Sequence, residues 1–476
     1  MNTRKVDVAV IGAGTAGLAA YRAAKSHNKQ VVLIEGGTYG TTCARIGCMP
    51  SKLLIAAAEA AHAVTTAHAF GVHAGPPRVD GKAVMTRVRA ERDRFVDFVL
   101  TGVEEIPESD RPRGFARFID SKTLQVGDTV LNADSIVIAT GSRPTIPAEL
   151  SSLGDRIIVS DDVFDWEDLP ESIAIVGAGV IALELGQALH RLGVRVAIFG
   201  RSDKLAQLND PELNDAAMRI LSAELDLRMS TELQEARLEG DSVVVRSRAE
   251  DGAERAERYS YVLAATGRDP NMENLSLEHA GLVLDKHGVP LFDRYTMQCG
   301  GTGIFIAGDA SDERPLLHEA ADQGRIAGDN AGLYPHVRPG LRHVLLTIAF
   351  TDPQIATVGQ TYRSLESTRY AIGEVSFEDQ GRSRVMLQNR GLLRVYGERG
   401  TGRFVGADMI GPRAEHLAHL LAWAYQSGMK VSEMLEMPFY HPTIEEGVRT
   451  ALRDLKEKLL HGLPEIERCT DCTPGV

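Results

Sequence analysis

Val6-Asp-Val-Ala-Val-Ile-Gly-Ala-Gly-Thr-Ala-Gly17 is the stretch whose reading decides the fold. A strand-forming apolar run (6–11) enters a G-x-G-x-x-G turn at Gly12, Gly14 and Gly17. A second apolar run (31–34) then ends on Glu35. In that pattern the glycines permit the tight turn, the close approach of a pyrophosphate and the packing of helix on strand. The helix N-terminus attracts the phosphate charge, and the carboxylate holds a ribose. Strand, glycines, helix, strand and acid all fall in order, so a dinucleotide-binding unit is predicted at the N-terminus.

The next segment is Cys43-Ala-Arg-Ile-Gly-Cys48. A nucleotide fold that leads directly into paired cysteines points to thiol–disulfide redox chemistry. Two buried structural cysteines, or half of a metal site, are the alternatives; no His or further Cys follows at ligand spacing. An Ala-rich helix is predicted over about 51–64, starting near Pro50. Its positive end lies beside Cys48 and favours a thiolate there. Arg45 is read as solvated, and Cys299 as a lone strand or turn cysteine.

The chain has 476 residues, 43% apolar and 25% charged, with a formal net charge of −13 and five cysteines. That length predicts two to four domains. The negative charge argues against a nucleic acid or an anionic membrane as partner. No apolar run is read as long enough to span a bilayer. The basic, apolar start (1–20) mimics a signal peptide, but Asp7 interrupts it and the glycines belong to the fingerprint. A cytoplasmic protein is expected, and in such a chain a close cysteine pair is catalytic or metal-binding.

Further along the pattern returns. Residues 173–176 read as a strand, and Gly177-Ala-Gly-Val-Ile-Ala182 is a second phosphate turn with Ala in the third place. A helix (183–191) and a strand (194–199) follow. Val137-Ile-Ala-Thr-Gly-Ser-Arg-Pro144 closes the first unit much as Val262-Leu-Ala-Ala-Thr-Gly-Arg268 closes the second. This internal repeat implies one nucleotide per half. An apolar strand ends on Asp309, and beyond about residue 345 the texture becomes that of an α+β module. The fold class expected is α/β: two doubly wound dinucleotide-binding domains plus a C-terminal α+β domain.

Taken together, these pieces resemble the flavoprotein disulfide reductases, the class I pyridine nucleotide-disulfide oxidoreductases, most closely the dihydrolipoyl dehydrogenase type. The resemblance covers roughly residues 5 to 460. It is carried by Gly12–Gly17, Cys43–Lys52, Ala139–Pro144, Gly177–Ala182, Ala265–Pro270, Ala307–Asp309, Phe350-Thr-Asp-Pro353 and His441-Pro-Thr-Ile-Glu-Glu446. It implies an FAD domain (1–150, completed by 273–344), an NAD(P) domain (151–272) and a dimerisation domain with a tail (345–476). It implies a homodimer, and a small dithiol or lipoyl-domain substrate.

The resemblance also implies residue roles. Cys48 becomes the flavin-facing thiolate and Cys43 the interchange thiol of a redox disulfide. Lys52 and Glu184 match a pair near the flavin ring. Gly114, Thr140, Gly141, Gly308 and Asp309 join the FAD site, Asp309 accepting a hydrogen bond from a ribitol hydroxyl. Gly177, Gly179, Ala182, Gly200, Arg201 and Gly267 belong to the nicotinamide site. His441 is poised near neutral pH to take a proton from a dithiol, and Glu446, five residues on, orients it in a Cys–His–Glu arrangement. By resemblance His441 serves the disulfide of the other subunit.

Two features depart from the expected pattern. Eighteen residues after Gly17 stands Glu35, but eighteen after Ala182 stands Gly200, followed by Arg201. No carboxylate is there to hold a ribose 2′-hydroxyl or to repel a 2′-phosphate, so NAD and NADP both remain open. Cys469 and Cys472 form a C-x-x-C in the tail, read as a disordered end or as an extra redox or soft-metal hook. The function expected is dihydrolipoamide oxidation through Cys43–Cys48 and FAD, with hydride passed to NAD(P)+. The alternatives are a mercuric-type metal-ion reductase, another disulfide reductase, or a pyridine nucleotide transhydrogenase.

Overall fold

The structure, a computed structural model, describes residues 2–206 and 208–460. Cys469 and Cys472 lie outside the described residues. In the first module β1 (Asn2–Ile11) and β2 (Val31–Ile34) are parallel and joined by α1 (Thr15–Lys25). Helices α2 (Thr42–Ile46), α3 (Cys48–Thr66) and α4 (Gly81–Glu104) follow, and then β3 (Ala116–Asp120), β4 (Thr123–Val126) and β5 (Thr129–Ile138). The sheet order is β2-β1-β5-β4-β3. Burial on both faces explains why β2 reads as an unbroken apolar run rather than an alternating one.

The short strand β6 (Ser142–Pro144) leaves this sheet for the second module. There β7 (Ile157–Val159), β8 (Ser172–Val176), β9 (Arg195–Phe199), β10 (Asp226–Arg228) and β14 (Tyr261–Ala264) form a parallel sheet in the order β10-β9-β8-β14-β7. Helix α5 (Val180–Arg191) joins β8 to β9, and α6 (Pro211–Leu221) precedes β10. Antiparallel β11 (Glu232–Glu239), β12 (Ser242–Arg248) and β13 (Glu254–Tyr259) were not legible in the sequence. Their alternation is blurred by Arg–Glu pairs on an exposed face.

The chain then returns. β15 (Arg268–Pro270) pairs with β6, so the two repeated Thr-Gly turns lead into strands that bond to each other. β16 (Ile304–Ile306) adds to the C-terminal half of β5, and the hairpin strand β4 holds its other half. Helix α7 (Leu317–Leu333) packs on α1: a Cβ on Gly324 or Gly328 would overlap the carbonyls of Ala16 and Ala20. The third module is an antiparallel sheet in the order β17-β18-β21-β20-β19: β17 (Leu346–Ala349), β18 (Gln354–Gly359), β19 (Tyr370–Ser376), β20 (Leu392–Glu398) and β21 (Phe404–Gly411). The helices Ala414–Gln426 and Glu445–Leu460 accompany it.

One expectation needs correction. Residues 42–70, which join α2, α3 and a final 3-10 turn, are long and apolar enough by length and composition to cross a membrane. The cause is the Ala-rich run, which is nearly free of charge. Leu54, Ile55 and Ala58 nevertheless lie in a core shared with α4 and α5.

The second and third modules are joined by buried polar groups. Asp210 is inaccessible and caps α6 through the amides of Glu212 and Leu213. It also accepts from Arg394 Nη1 (2.6 Å) and from the Tyr396 hydroxyl (3.1 Å). That hydroxyl lies 2.8 Å from Asp408, whose carboxyl burial pushes above the usual range. Removing one partner of such a pair leaves an uncompensated buried charge. Asp210→Ala should therefore lower unfolding free energy by about 3 kcal/mol or more, measured by urea denaturation. A loss below about 1 kcal/mol would show that this junction rests on other contacts.

Candidate active site

Both phosphate turns depend on one close approach. Gly12 (φ +103°) and Gly177 (φ +116°) are left-handed, and a Cβ on either would overlap a carbonyl, that of Ala139 and of Ala265 respectively. Any side chain there is excluded by both sterics and backbone conformation. At Gly14 and Gly179 a Cβ would instead meet nothing within 4 Å, so each turn has open space on the side a phosphate would approach. Gly17 is needed because a Cβ would overlap the Gly12 carbonyl, whereas Ala182 fits, fully buried, in the second turn.

Around the first turn the groups expected to hold FAD are present. Glu35 Oε2 accepts from the Ala13 amide (2.8 Å) and Oε1 from the Gly37 amide (2.6 Å), which fixes the carboxylate at the turn. The Gly114 amide bonds the Glu35 carbonyl. Asp309 Oδ2 accepts from Ser142 (2.7 Å), and the Gly308 amide bonds Gln323. Thr140 Oγ1 is buried and has no partner among the described residues. Its counterpart in the repeat, Thr266, donates to the Thr145 carbonyl (2.8 Å). A buried hydroxyl without a partner costs about 1–3 kcal/mol, so Thr140 fits a site completed by a ligand. Gly141 and Gly267, at the two matching turns, are both left-handed.

Cys43 lies in α2, and Cys48 is the first residue of α3. The two sulfurs are close enough to hydrogen-bond to each other in the dithiol form. A hydrogen bond from the Cys43 thiol to the Cys48 sulfur favours charge on Cys48 and lowers it to about 7; nearby Lys52 adds to this. The same bond, with burial, holds Cys43 well above the ordinary thiol range. The negative charge of the pair therefore resides on Cys48, at the positive end of α3. Arg45 departs from its expected solvated state: it is half-buried, its stem lies against Gly40, and its Nε has no partner among the described residues.

Lys52 and Glu184, 132 residues apart, meet at 2.7 Å (Nζ to Oε2). The Glu184 side chain is 6% exposed. Its other oxygen accepts from the Phe350 amide (2.8 Å), and the Phe350 ring lies 4.7 Å from Lys52 Nζ. No local signal in the sequence marks the contact of Phe350 with Lys52.

His441 Nδ1 is 2.9 Å from Glu446 Oε2, and the ring is 79% exposed. Desolvation raises the Glu446 carboxyl, but hydrogen bonds from His441 and the Thr443 amide hold it below the ordinary range. Cys43 and Cys48 are perturbed by each other and by Lys52, with Glu184 acting on Cys48, while His441 stands on the third module and pairs with Glu446.

A cleft of about 390 Å3 opens beside Cys43, lined by Leu18 and Arg22 of α1, Met49, and Phe95, Phe98 and Val99 of α4. Its mostly apolar wall was not foreseen, because the periodicity of α4 does not distinguish a cleft from a core. In the second module the Gly200 amide bonds the Arg228 carbonyl, and Arg201 and Lys204 are exposed. Their loop is tied back to the second turn by the Ala206 amide on the Ala178 carbonyl (2.9 Å).

Residues 6–324 match the family model described as pyridine nucleotide-disulphide oxidoreductase, and residues 346–452 match its dimerisation domain. Similar sequences include a mercuric reductase of Streptomyces lividans, 32% identical over 94% of this chain and 95% of that protein. A mercuric reductase of Acidithiobacillus ferrooxidans is 31% identical over 95% and 84%. A dihydrolipoyl dehydrogenase of Bacillus subtilis is 30% identical over 94% and 98%. In fold the chain is similar to the HOCl-induced flavoprotein disulfide reductase RclA from Escherichia coli, with a TM-score of 0.79 and 22% identity over 95% of this chain and 99% of that one.

In the reduced protein, alkylation of Cys48 by iodoacetamide should rise through a midpoint near pH 7, and Cys43 should lag far behind. Peptide mass spectrometry across pH measures both. Equal labelling of the two at pH 7 would overturn the assignment of the thiolate to Cys48.

Proposed function

The chain belongs to the pyridine nucleotide-disulphide oxidoreductase family, whose members use FAD and NAD(P), and on that premise we propose that it is a dihydrolipoyl dehydrogenase. The observation that carries this reading is the His441–Glu446 pair at 2.9 Å, with the ring otherwise open to solvent. A carboxylate on Nδ1 fixes the tautomer and leaves Nε2 as a base for an incoming dithiol. The apolar cleft at Cys43 suits an aliphatic dithiol arm. The match to the dimerisation domain supports a homodimer. In that dimer His441 of one subunit would serve the cysteines of the other.

In the proposed cycle one substrate sulfur attacks Cys43 of the oxidised pair. The Cys43–Cys48 bond breaks, a mixed disulfide forms, and Cys48 leaves as a thiolate. The second substrate sulfur displaces Cys43 and closes the substrate disulfide; of the two dithiol protons His441 takes up one and Cys43, left as a thiol, the other. When bound, FAD would supply the two-electron chemistry that links the cysteine pair to hydride transfer to NAD(P)+. Gly12, Gly14, Gly17, Glu35, Gly114, Thr140, Gly141, Gly308 and Asp309 would hold it. Lys52, fixed by Glu184, would stabilise negative charge at its ring. Gly177, Gly179, Ala182, Gly200, Arg201 and Gly267 would receive the nicotinamide cofactor.

A second reading, reduction of a soft metal ion, is favoured by the similarity to mercuric reductases. It gives the His441–Glu446 pair nothing to deprotonate. His441→Ala should keep bound FAD and lose roughly 10²–10⁴-fold in dihydrolipoamide turnover. Retention of turnover within about threefold, or preferential NADPH-dependent reduction of Hg(II) that ignores His441, would overturn the dithiol reading.

The nicotinamide site is expected to discriminate weakly against NADP(H), because Gly200 supplies no carboxylate and Arg201 offers a guanidinium to a phosphate. A Cβ on Gly200 would meet only the flexible end of Met229 (2.7 Å to Cε) and the Ser202 carbonyl (3.2 Å), so a side chain can be admitted. Gly200→Glu should shift the ratio of kcat/KM values toward NAD by roughly tenfold or more, through a new ribose hydrogen bond and repulsion of the phosphate. Wild-type protein that already excludes NADP(H) by several orders of magnitude would place selectivity elsewhere.

A further inference from the structure

Glu184, Gln187 and Arg191 lie at i, i+3 and i+7 on one face of α5, and all three grip the same short segment of the third module. Glu184 Oε1 accepts from the Phe350 amide (2.8 Å). Gln187 binds both backbone groups of Asp352: Oε1 accepts from its amide (2.7 Å), and Nε2 donates to its carbonyl (2.9 Å). Arg191 Nη2 donates to the Asp352 carboxylate (3.0 Å). Glu224 backs this dock, accepting from Arg191 Nε (2.5 Å) and Gln187 Nε2 (2.9 Å). The Arg191 and Gln187 side chains are almost wholly buried.

A contact between modules needs none of this precision if its only task is adhesion. Here the clamped segment carries Phe350, whose amide occupies one oxygen of Glu184 and whose ring lies 4.7 Å from Lys52 Nζ. With Oε1 engaged, Oε2 is left in one orientation, 2.7 Å from Lys52. Lys52 in turn acts on Cys48, more strongly than Glu184 opposes it.

We propose that Gln187 and Arg191 are positioning residues for the redox centre: by pinning residues 350–352 to α5 they hold the Phe350 amide on Glu184 and its ring beside Lys52, and so keep the ammonium fixed next to Cys48. This rests on the reading of Cys43, Cys48 and Lys52 as that centre. The groups that bear on Cys48 are Cys43, Lys52 and Glu184; Gln187 and Arg191 reach it only through them.

The test follows Cys48 alkylation against pH in the reduced holoenzyme, alongside Tm. Lys52→Met sets the reference, an upward shift of the Cys48 midpoint. Gln187→Met and Arg191→Met should shift the midpoint in the same direction by less, and Arg191→Lys should restore part of it. Gln187 is uncharged, so its effect cannot be a long-range field. Arg394→Met loosens the other junction between these modules and should lower Tm without moving the midpoint. If Gln187→Met and Arg191→Met lower Tm but leave the midpoint at its wild-type value, the two residues are structural only and the proposal fails. If Lys52→Met itself leaves the midpoint unmoved, the underlying reading of the redox centre fails instead.

Discussion

The ion pair between half-exposed Lys52 and buried Glu184 is the point at which the three modules depend on one another. Lys52 rises from the cysteine-bearing helix of the first module, Glu184 from the first helix of the second, and Phe350 from the entry to the third. A carboxylate 6% exposed is stable as an ion only if both oxygens are satisfied, and here each has one donor, an ammonium and a backbone amide. Removing any one of the three leaves a buried charge or a buried amide without its partner. The modules therefore cannot shift independently without disturbing the charge beside Cys48.

Around that point the chain uses one device twice. A strand ends in a left-handed glycine that abuts the carbonyl of a later Ala-Thr-Gly turn, in each of two parallel sheets. The copies have diverged where their tasks differ. Thr266 donates its hydroxyl to the Thr145 carbonyl and binds the modules together, whereas the hydroxyl of Thr140 is buried without a partner among the described residues. Glu35 guards the first turn, and its counterpart is Gly200, beside exposed Arg201 and Lys204. The same backbone geometry thus presents an acid beside the first glycine turn and basic side chains beside the second.

The cysteine pair follows the same economy of placement. Of two sulfurs five residues apart, the one that starts a helix has its thiol lowered to about 7 by the hydrogen bond from the other. His441, proposed as the base, stands on another module with its ring in solvent.

The sequence by itself determined the two nucleotide units, the α+β third module and most catalytic candidates. Each of these rests on local signals: glycine spacing, apolar runs and a cysteine pair on adjacent turns. The His441–Glu446 contact was also legible, because five residues across a helix start keep two side chains in reach. What only the tertiary structure decided lies at long range. The sequence offered Lys52 and Glu184 as two charges; packing α3 on α5 paired them, and docking residues 350–352 supplied Phe350. The β11–β13 sheet went unread because cross-strand ion pairs on its exposed face interrupt the apolar pattern of the face that buries Val243, Val245 and Tyr259. The apolar stretch 42–70 met the membrane criterion because composition cannot tell a lipid-facing helix from one whose Leu54 and Ala58 are covered by other helices. Local geometry is written in neighbouring residues, whereas which distant side chains share a desolvated site is settled only when whole elements pack.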